Sequence, residues 1–207
     1  MRHRPHLRSG LSLFLLAWTC AAAPAEASKC NAAKLLATGK RTATELACHA
    51  KAVGKGKPLA AGCVAAAVVK LPAAFAKAET TGDCTTTGDV ETFAASVTGL
   101  VADVATRLGG PGPSACTALR LKAAGKRAAA RLGCQAAAVK KGRGAAVDPK
   151  CSTKVERGFL AAFARAERKG DCLAGTGDAP AVATLLDAFA HGRRAIVAPP
   201  VTTCSPL

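Results

Sequence analysis

Apolar side chains recur at helical spacing in three successive stretches of this chain, and then the series begins again. The clearest stripe is Val90, Phe93, Val97, Leu100, Val101, Val104 and Leu108. Its period is that of one helix face, and Asp89 before it reads as the N-cap. Upstream, residues 31–53 read as a first helix, stopped by Gly54-Lys55-Gly56-Lys57-Pro58. Residues 59–80 read as a second helix, stopped at Gly82. In the other half, Asp148-Pro149 opens helix two, and Asp178 caps a third helix carrying Val182, Leu185, Leu186, Phe189 and Ile196. Pro72 stands inside helix two where the second half has Leu160. Proline lacks the N–H and crowds the preceding turn, so a kink is predicted in the first half alone.

The cysteines show the same doubling. Cys30 to Cys48 and Cys116 to Cys134 are both 18 residues, and Cys63 to Cys84 and Cys151 to Cys172 are both 21. Cys84 to Cys116 and Cys172 to Cys204 are both 32, while Cys48 to Cys63 is 15 against 17 for Cys134 to Cys151. Segments 30–48 and 116–134 share ten of 19 positions, among them Gly39-Lys40-Arg41 and Gly125-Lys126-Arg127. Ala73-Ala74-Phe75-Ala76-Lys77-Ala78-Glu79 matches Ala161-Ala162-Phe163-Ala164-Arg165-Ala166-Glu167, and Gly82-Asp83-Cys84 matches Gly170-Asp171-Cys172. A fixed period of this kind marks a repeat. Gly109-Gly110-Pro111-Gly112-Pro113 is the linker between copies. The predicted organisation is a leader at 1–27, one helical module at 28–112 and a second at 113–207 with a cysteine-containing tail.

Composition explains the cysteines. Half of the 207 residues are hydrophobic, there is no Tyr, and the one Trp lies in the leader. Alanine favours helix but buries little area per residue, and modules this small need staples. The leader has Arg2, Arg4 and Arg8, an apolar run over 11–23 and a small-residue cleavage site at Ala25-Glu26-Ala27, the marks of a secretory signal. The run is too short for a spanning helix, Ala17-Trp18-Thr19 before Cys20 fits a lipid-attachment site poorly, and no later segment reads as membrane-spanning. Export to the periplasm or beyond places the mature cysteines where disulfides persist.

Helix geometry narrows their pairing. Cys30 and Cys48 lie about 27 Å apart along one helix, whereas a disulfide needs Cα atoms within about 7 Å; Cys63 and Cys84 are separated in the same way. Two schemes remain. Parallel helices would join Cys30 to Cys63 and Cys48 to Cys84. Short loops favour antiparallel neighbours, which give the nested pairs Cys30–Cys84, Cys48–Cys63, Cys116–Cys172 and Cys134–Cys151. Helix one is then expected in the middle, with helix two on its cysteine side and helix three on its leucine side. Cys204 is left over, either a free thiol or the link of a covalent homodimer.

Candidate chemistry is sparse. Cys48-His49 lacks the first cysteine of a haem attachment motif, since position 45 is Glu45. No C-x-x-C pair suggests zinc, and His49 and His191 occupy unrelated positions of the two copies, so no catalytic residue and no cofactor are expected. Glu79, Asp83 and Asp89 recur as Glu167, Asp171 and Asp178 around a glycine-containing loop, the carboxylates best able to hold calcium, although solvated or helix-capping roles account for them as well. Charge is the remaining signal. From Ser28 onward there are 26 basic and 12 acidic side chains, a net charge of +14, of which the second module carries +10. Arg120, Lys122, Lys126, Arg127, Arg131, Lys140, Lys141 and Arg143 form a stretch with no intervening acid, a surface that attracts anionic polymers or acidic proteins. No aromatic platform for stacking bases accompanies it.

Segments such as Ala123-Ala124-Gly125-Lys126-Arg127 and Ala74-Phe75-Ala76-Lys77-Ala78-Glu79-Thr80-Thr81-Gly82-Asp83-Cys84 resemble a group of uncharacterised exported bacterial proteins, rich in Ala and Lys, with repeated four-cysteine helical modules. The resemblance covers the mature chain and implies a class and a location without an activity. The expectation is therefore an all-α exported protein of two tandem three-helix modules, non-enzymatic, with a binding or structural role. The alternative is a binder of polyanions (envelope polymer, membrane surface or extracellular nucleic acid) through the basic stretch.

Overall fold

The structure, a computed structural model, describes residues 27–142 and 145–198. Residues 1–26, Arg143 and Cys204 lie outside the described residues, and with them nearly all of the leader and the leftover cysteine. The chain is all-helical, 76% helix with no strand among the described residues. In chain order the helices are α1 (Lys29–Lys55), α2 (Ala61–Val68), α3 (Lys70–Glu79), α4 (Val90–Leu108), α5 (Ala115–Lys141), α6 (Pro149–Glu167) and α7 (Ala179–Val197).

Local chemistry accounts for the boundaries. Ser28 and Ser114 cap α1 and α5, their hydroxyls accepting from the amides of Asn31 and Thr117. Gly56 closes α1 in the left-handed conformation at φ 59°, which glycine adopts without strain. Asp148 caps α6 ahead of Pro149 at its start. The first-half counterpart of α6 is broken at Val69 into α2 and α3. The missing N–H of Pro72 and its ring act on the carbonyl four residues back, that of Val68, so the break falls where the proline acts.

Two sequence expectations need correction. Asp89 and Asp178 occupy the N-cap positions of α4 and α7, but neither side chain makes a capping hydrogen bond; both are drawn to buried cations described below. Ala61–Glu79 is long and apolar enough to cross a bilayer, with a mean hydropathy of 1.5, contrary to the reading that no later segment is. Alanine and valine supply that hydropathy, Lys70 and Lys77 interrupt it, and Val69 breaks the helix.

Four cysteine pairs stand at disulfide distance: Cys30–Cys84, Cys48–Cys63, Cys116–Cys172 and Cys134–Cys151, with Cα separations of 5.1, 5.9, 4.9 and 5.9 Å. These are the nested pairs, so α1 runs antiparallel to α2–α3 and α5 to α6. Such bridges are consistent with an oxidising extracellular or periplasmic setting.

The leucine face of α1, expected to receive the third helix of its own half, meets chiefly α5 of the other half. α1 and α5 run antiparallel and cross where glycine permits close approach. A Cβ built on Gly39 would lie 3.0 Å from the Cα of Ala129, and one on Gly125 would lie 3.1 Å from the Cα of Ala43. The ends are also tied reciprocally: Ser28 N–H donates to the Val139 carbonyl and Ser114 N–H to that of Val53, at 3.3 and 3.2 Å. Both hydrophobic clusters therefore mix the halves. One joins Leu46 of α1 with Val101 and Val104 of α4, Leu121 of α5, Phe159 and Phe163 of α6 and Leu186 of α7. The other joins Leu35 of α1, Phe75 of α3, Phe93 of α4, Leu132 and Val139 of α5 and Val197 of α7. Gly39→Leu is expected to cost about 1–3 kcal/mol by overpacking against backbone that cannot yield, even though leucine is the better helix former by nearly 1 kcal/mol. Urea unfolding measures this, and an unchanged midpoint would mean that the helices do not touch there.

Candidate anion-binding grooves

Helical periodicity divides the basic stretch of α5. Arg120, Arg127 and Arg131 share the inner face, at spacings of seven and four. Arg120 is fully buried; it donates to Asp178 at 2.6 Å and to the Gly175 carbonyl at 3.1 Å, over the ring of Phe163. Arg127 pairs with Glu156 and, at 2.9 Å, with Asp187. Arg131 reaches Asp187 at 2.7 Å. These three arginines are committed inside the fold, and the expectation that they face a polyanion is corrected. Lys122 and Lys126, one turn apart, are exposed, as are Lys140 and Lys141 in the last turn of α5.

Lys122 and Lys126 do not stand alone. They rim a groove between α5 and α6 whose opposite wall carries Arg165 of α6 and Arg168 and Lys169 just beyond its end. The groove continues along the same two helices past Lys154, over Val155, Phe159 and Ala162. The two stretches have volumes of about 500 and 540 Å³, and none of their lining residues is acidic. Arg127 is also among the lining residues, but it is nearly fully buried and its guanidinium is taken up by Glu156, Asp187 and the ring of Phe159. Arg165, Arg168, Lys169 and Lys154 were missed from sequence because they lie outside the acid-free stretch. The signal was present: Arg165 and Lys169 are one turn apart, and an antiparallel hairpin sets them across from Lys122 and Lys126.

The first half has a matching groove of about 460 Å³ between α1 and α3, also without an acidic lining residue. Lys29, Lys40, Lys70 and Lys77 surround Leu36, Ala37, Leu71 and Ala74. Lys40 and Lys77 correspond in sequence to Lys126 and Arg165.

The repeated carboxylates serve the protein's own donors, not an open cation site. Asp83 accepts from the amides of Lys29 and Cys30 at 2.5 and 3.0 Å, and Asp171 from those of Ala115 and Cys116 at 2.6 and 2.9 Å. Each thus bonds the first turn of the long helix whose cysteine pairs next to it. Glu79 and Asp89 both meet Lys34 at 2.7 Å, and the fully buried Lys34 lies over the ring of Phe75. Glu167 accepts from Gly177 N–H at 3.3 Å. Calcium would have to displace these contacts, and among the described residues no group of three or more His, Cys, Asp or Glu could hold a metal.

The Thr81 hydroxyl, followed by the Cys30 and Lys29 amides, holds the Asp83 carboxyl below its usual range, and the amides of Cys116 and Ala115 do the same for Asp171. A depressed folded-state pKa contributes stability above the unfolded value that is lost as pH falls through the folded one. Unfolding free energy is therefore expected to drop below about pH 4, and to drop less in the Asp83→Asn/Asp171→Asn variant. Denaturant unfolding across pH 3–7 tests this; equal acid sensitivity in both proteins would overturn it. Burial lowers the His49 pKa, and its neighbour Cys48 is paired with Cys63.

No protein-family model matches the chain, and neither a curated protein nor a solved structure is significantly similar to it.

Proposed function

We propose that this is an exported, non-enzymatic binding protein, built from two copies of one disulfide-stapled helical module, that takes anionic ligands through the face formed by α5 and α6. Its basic leader, apolar run and cleavage site support export, together with four disulfides in a thin alanine core. The observation that carries the binding role is the α5–α6 groove, where Lys122, Lys126, Arg165, Arg168 and Lys169 converge without one carboxylate among the lining residues. Cations brought together from two helices raise the local potential and attract anions more strongly than scattered ones. Arg120, Arg127 and Arg131, three of the seven described cations of the basic stretch, contribute through their own internal pairs and not through a ligand. Cys204 as a free thiol or a dimer link belongs to the same proposal and is separated by thiol titration of the oxidised protein.

The oxidised mature protein is expected to be retained on immobilised heparin at low salt and released by modest salt, because counterions compete for the same cations. Charge reversal at Lys122, Lys126, Arg165 and Lys169 together should abolish retention, while reversal at Lys140 and Lys141 should leave most of it. Failure of the wild type to bind at low salt, or equal retention of the fourfold variant, would overturn the reading.

A further inference from the structure

We infer that the two hairpin grooves are binding clefts for a single-chain anionic amphiphile, a long alkyl chain ending in a carboxylate or similar head, one in each half of the protein. The inference rests on the anion-binding reading for the α5–α6 face and adds to it the chemistry of the rest of the ligand. A hydrated polyanion would need only the cations. These grooves have a second property: between the cations their walls are alanine, leucine, valine and phenylalanine.

The α1–α3 groove shows this most clearly. Leu71 is buried, Ala37 and Ala74 are half-buried, and Leu36 is 38% exposed. The groove follows α1 from Lys29 to Thr44, roughly 22 Å at 1.5 Å per residue, the proportions of a slot for an extended chain. Alanine at facing positions leaves this space unfilled, and the disulfides Cys30–Cys84 and Cys48–Cys63 keep the two helices from rearranging to close it. Lys29, Lys40, Lys70 and Lys77 border the slot, and long lysine stems can follow an apolar chain while the ammonium reaches its head. In the other half, Ala123, Phe159 and Ala162 line the corresponding slot, bordered by Lys126, Lys154 and Arg165. Apolar clefts of several hundred Å³ with a few convergent polar groups are the usual form of a small-molecule site.

The test is calorimetric titration of the oxidised full-length mature protein with dodecanoate below its micellar concentration. Two sites per chain are expected. Octanoate should bind at least about tenfold more weakly, since each buried methylene is worth up to about fourfold in affinity, and dodecyltrimethylammonium should bind more weakly than dodecanoate because its head repels the border. Ala74→Phe should remove one site and Ala162→Phe the other, with the thermal melt reporting that each variant is folded. Lys40→Glu/Lys77→Glu, confined to exposed positions, should weaken the first site even if the filled variants do not fold. Absence of saturable binding, equal affinity for the cationic amphiphile, or association only with phosphatidylglycerol vesicles would overturn the inference. If heparin is retained while dodecanoate is not bound, the ligand class falls and the anion-binding face stands; if neither binds, both fall.

Discussion

Removing the Cys30–Cys84 bridge by the Cys30→Ser/Cys84→Ser double variant is expected to cost about 4 kcal/mol of unfolding free energy. The bridge closes a separation of 54 residues, and loop-closure entropy in the unfolded chain sets that scale. Cys48–Cys63 closes 15 residues, so its loss should cost less, about 3 kcal/mol. The longer bridge also sits beside the Asp83 carboxylate that bonds the first turn of α1, and beside the loop that carries Thr86 and Asp89 to Lys34. Releasing it therefore frees a helix end and a buried ion cluster as well as a loop. All four bridges together match the full stability of an ordinary domain, about 5–15 kcal/mol, so reduction is expected to unfold the protein at room temperature. Urea unfolding with and without reductant, followed by circular dichroism, measures both effects. A reduced protein that still unfolds cooperatively at an unchanged midpoint would show that the helix packing suffices without sulfur.

Lys34→Met is expected to cost about 3 kcal/mol, the lower part of the range for breaking a buried ion pair by deleting one partner. Lys34 is fully buried; it holds Glu79 and Asp89 at 2.7 Å each and donates to the Thr86 carbonyl at 2.6 Å. Methionine fills similar volume but leaves two carboxylates facing each other. Both retain some solvent access, at 25% and 12% side-chain exposure, which places the cost at the lower end. The pH dependence gives the mechanism a signature. In the wild type the Lys34 hydrogen bond holds the Glu79 carboxyl below its usual range, so its contribution to stability fades as pH falls. In the variant, acid protonates the stranded pair and relieves it. The stability gap between the two proteins should therefore narrow from pH 7 to pH 4. A gap that stays constant would mean lost packing, not a broken ion cluster, and adding Glu79→Gln and Asp89→Asn to the variant should recover part of the loss.

The same buried cluster shows where sequence reading ran short. Asp89 and Asp178 carry the local signature of N-caps, and they stand at the cap positions. Their side chains turn to Lys34 and Arg120, residues more than 50 positions away, because desolvated cations attract a nearby carboxylate more strongly than exposed amides do. The basic stretch misled for a related reason. Eight cations in a row read as one surface, but three of them lie on the helix face that turns inward. Which face turns inward depends on α5 packing against α1, α6 and α7 at once.

Periodicity, the proline break and the antiparallel hairpins were legible in the residues, because each depends on neighbours within a few turns or on the reach of a disulfide. Nothing local specifies that α1 and α5 pass each other at Gly39 and Gly125 and thereby merge both halves into shared cores. That contact pairs residues about 90 positions apart through bare backbone, and it leaves no periodic trace beyond two glycines in otherwise ordinary helices. The grooves follow from it too. With the leucine faces of α1 and α5 occupied by one another, their alanine faces and the lysines around them are left for α3 and α6 to cover only in part.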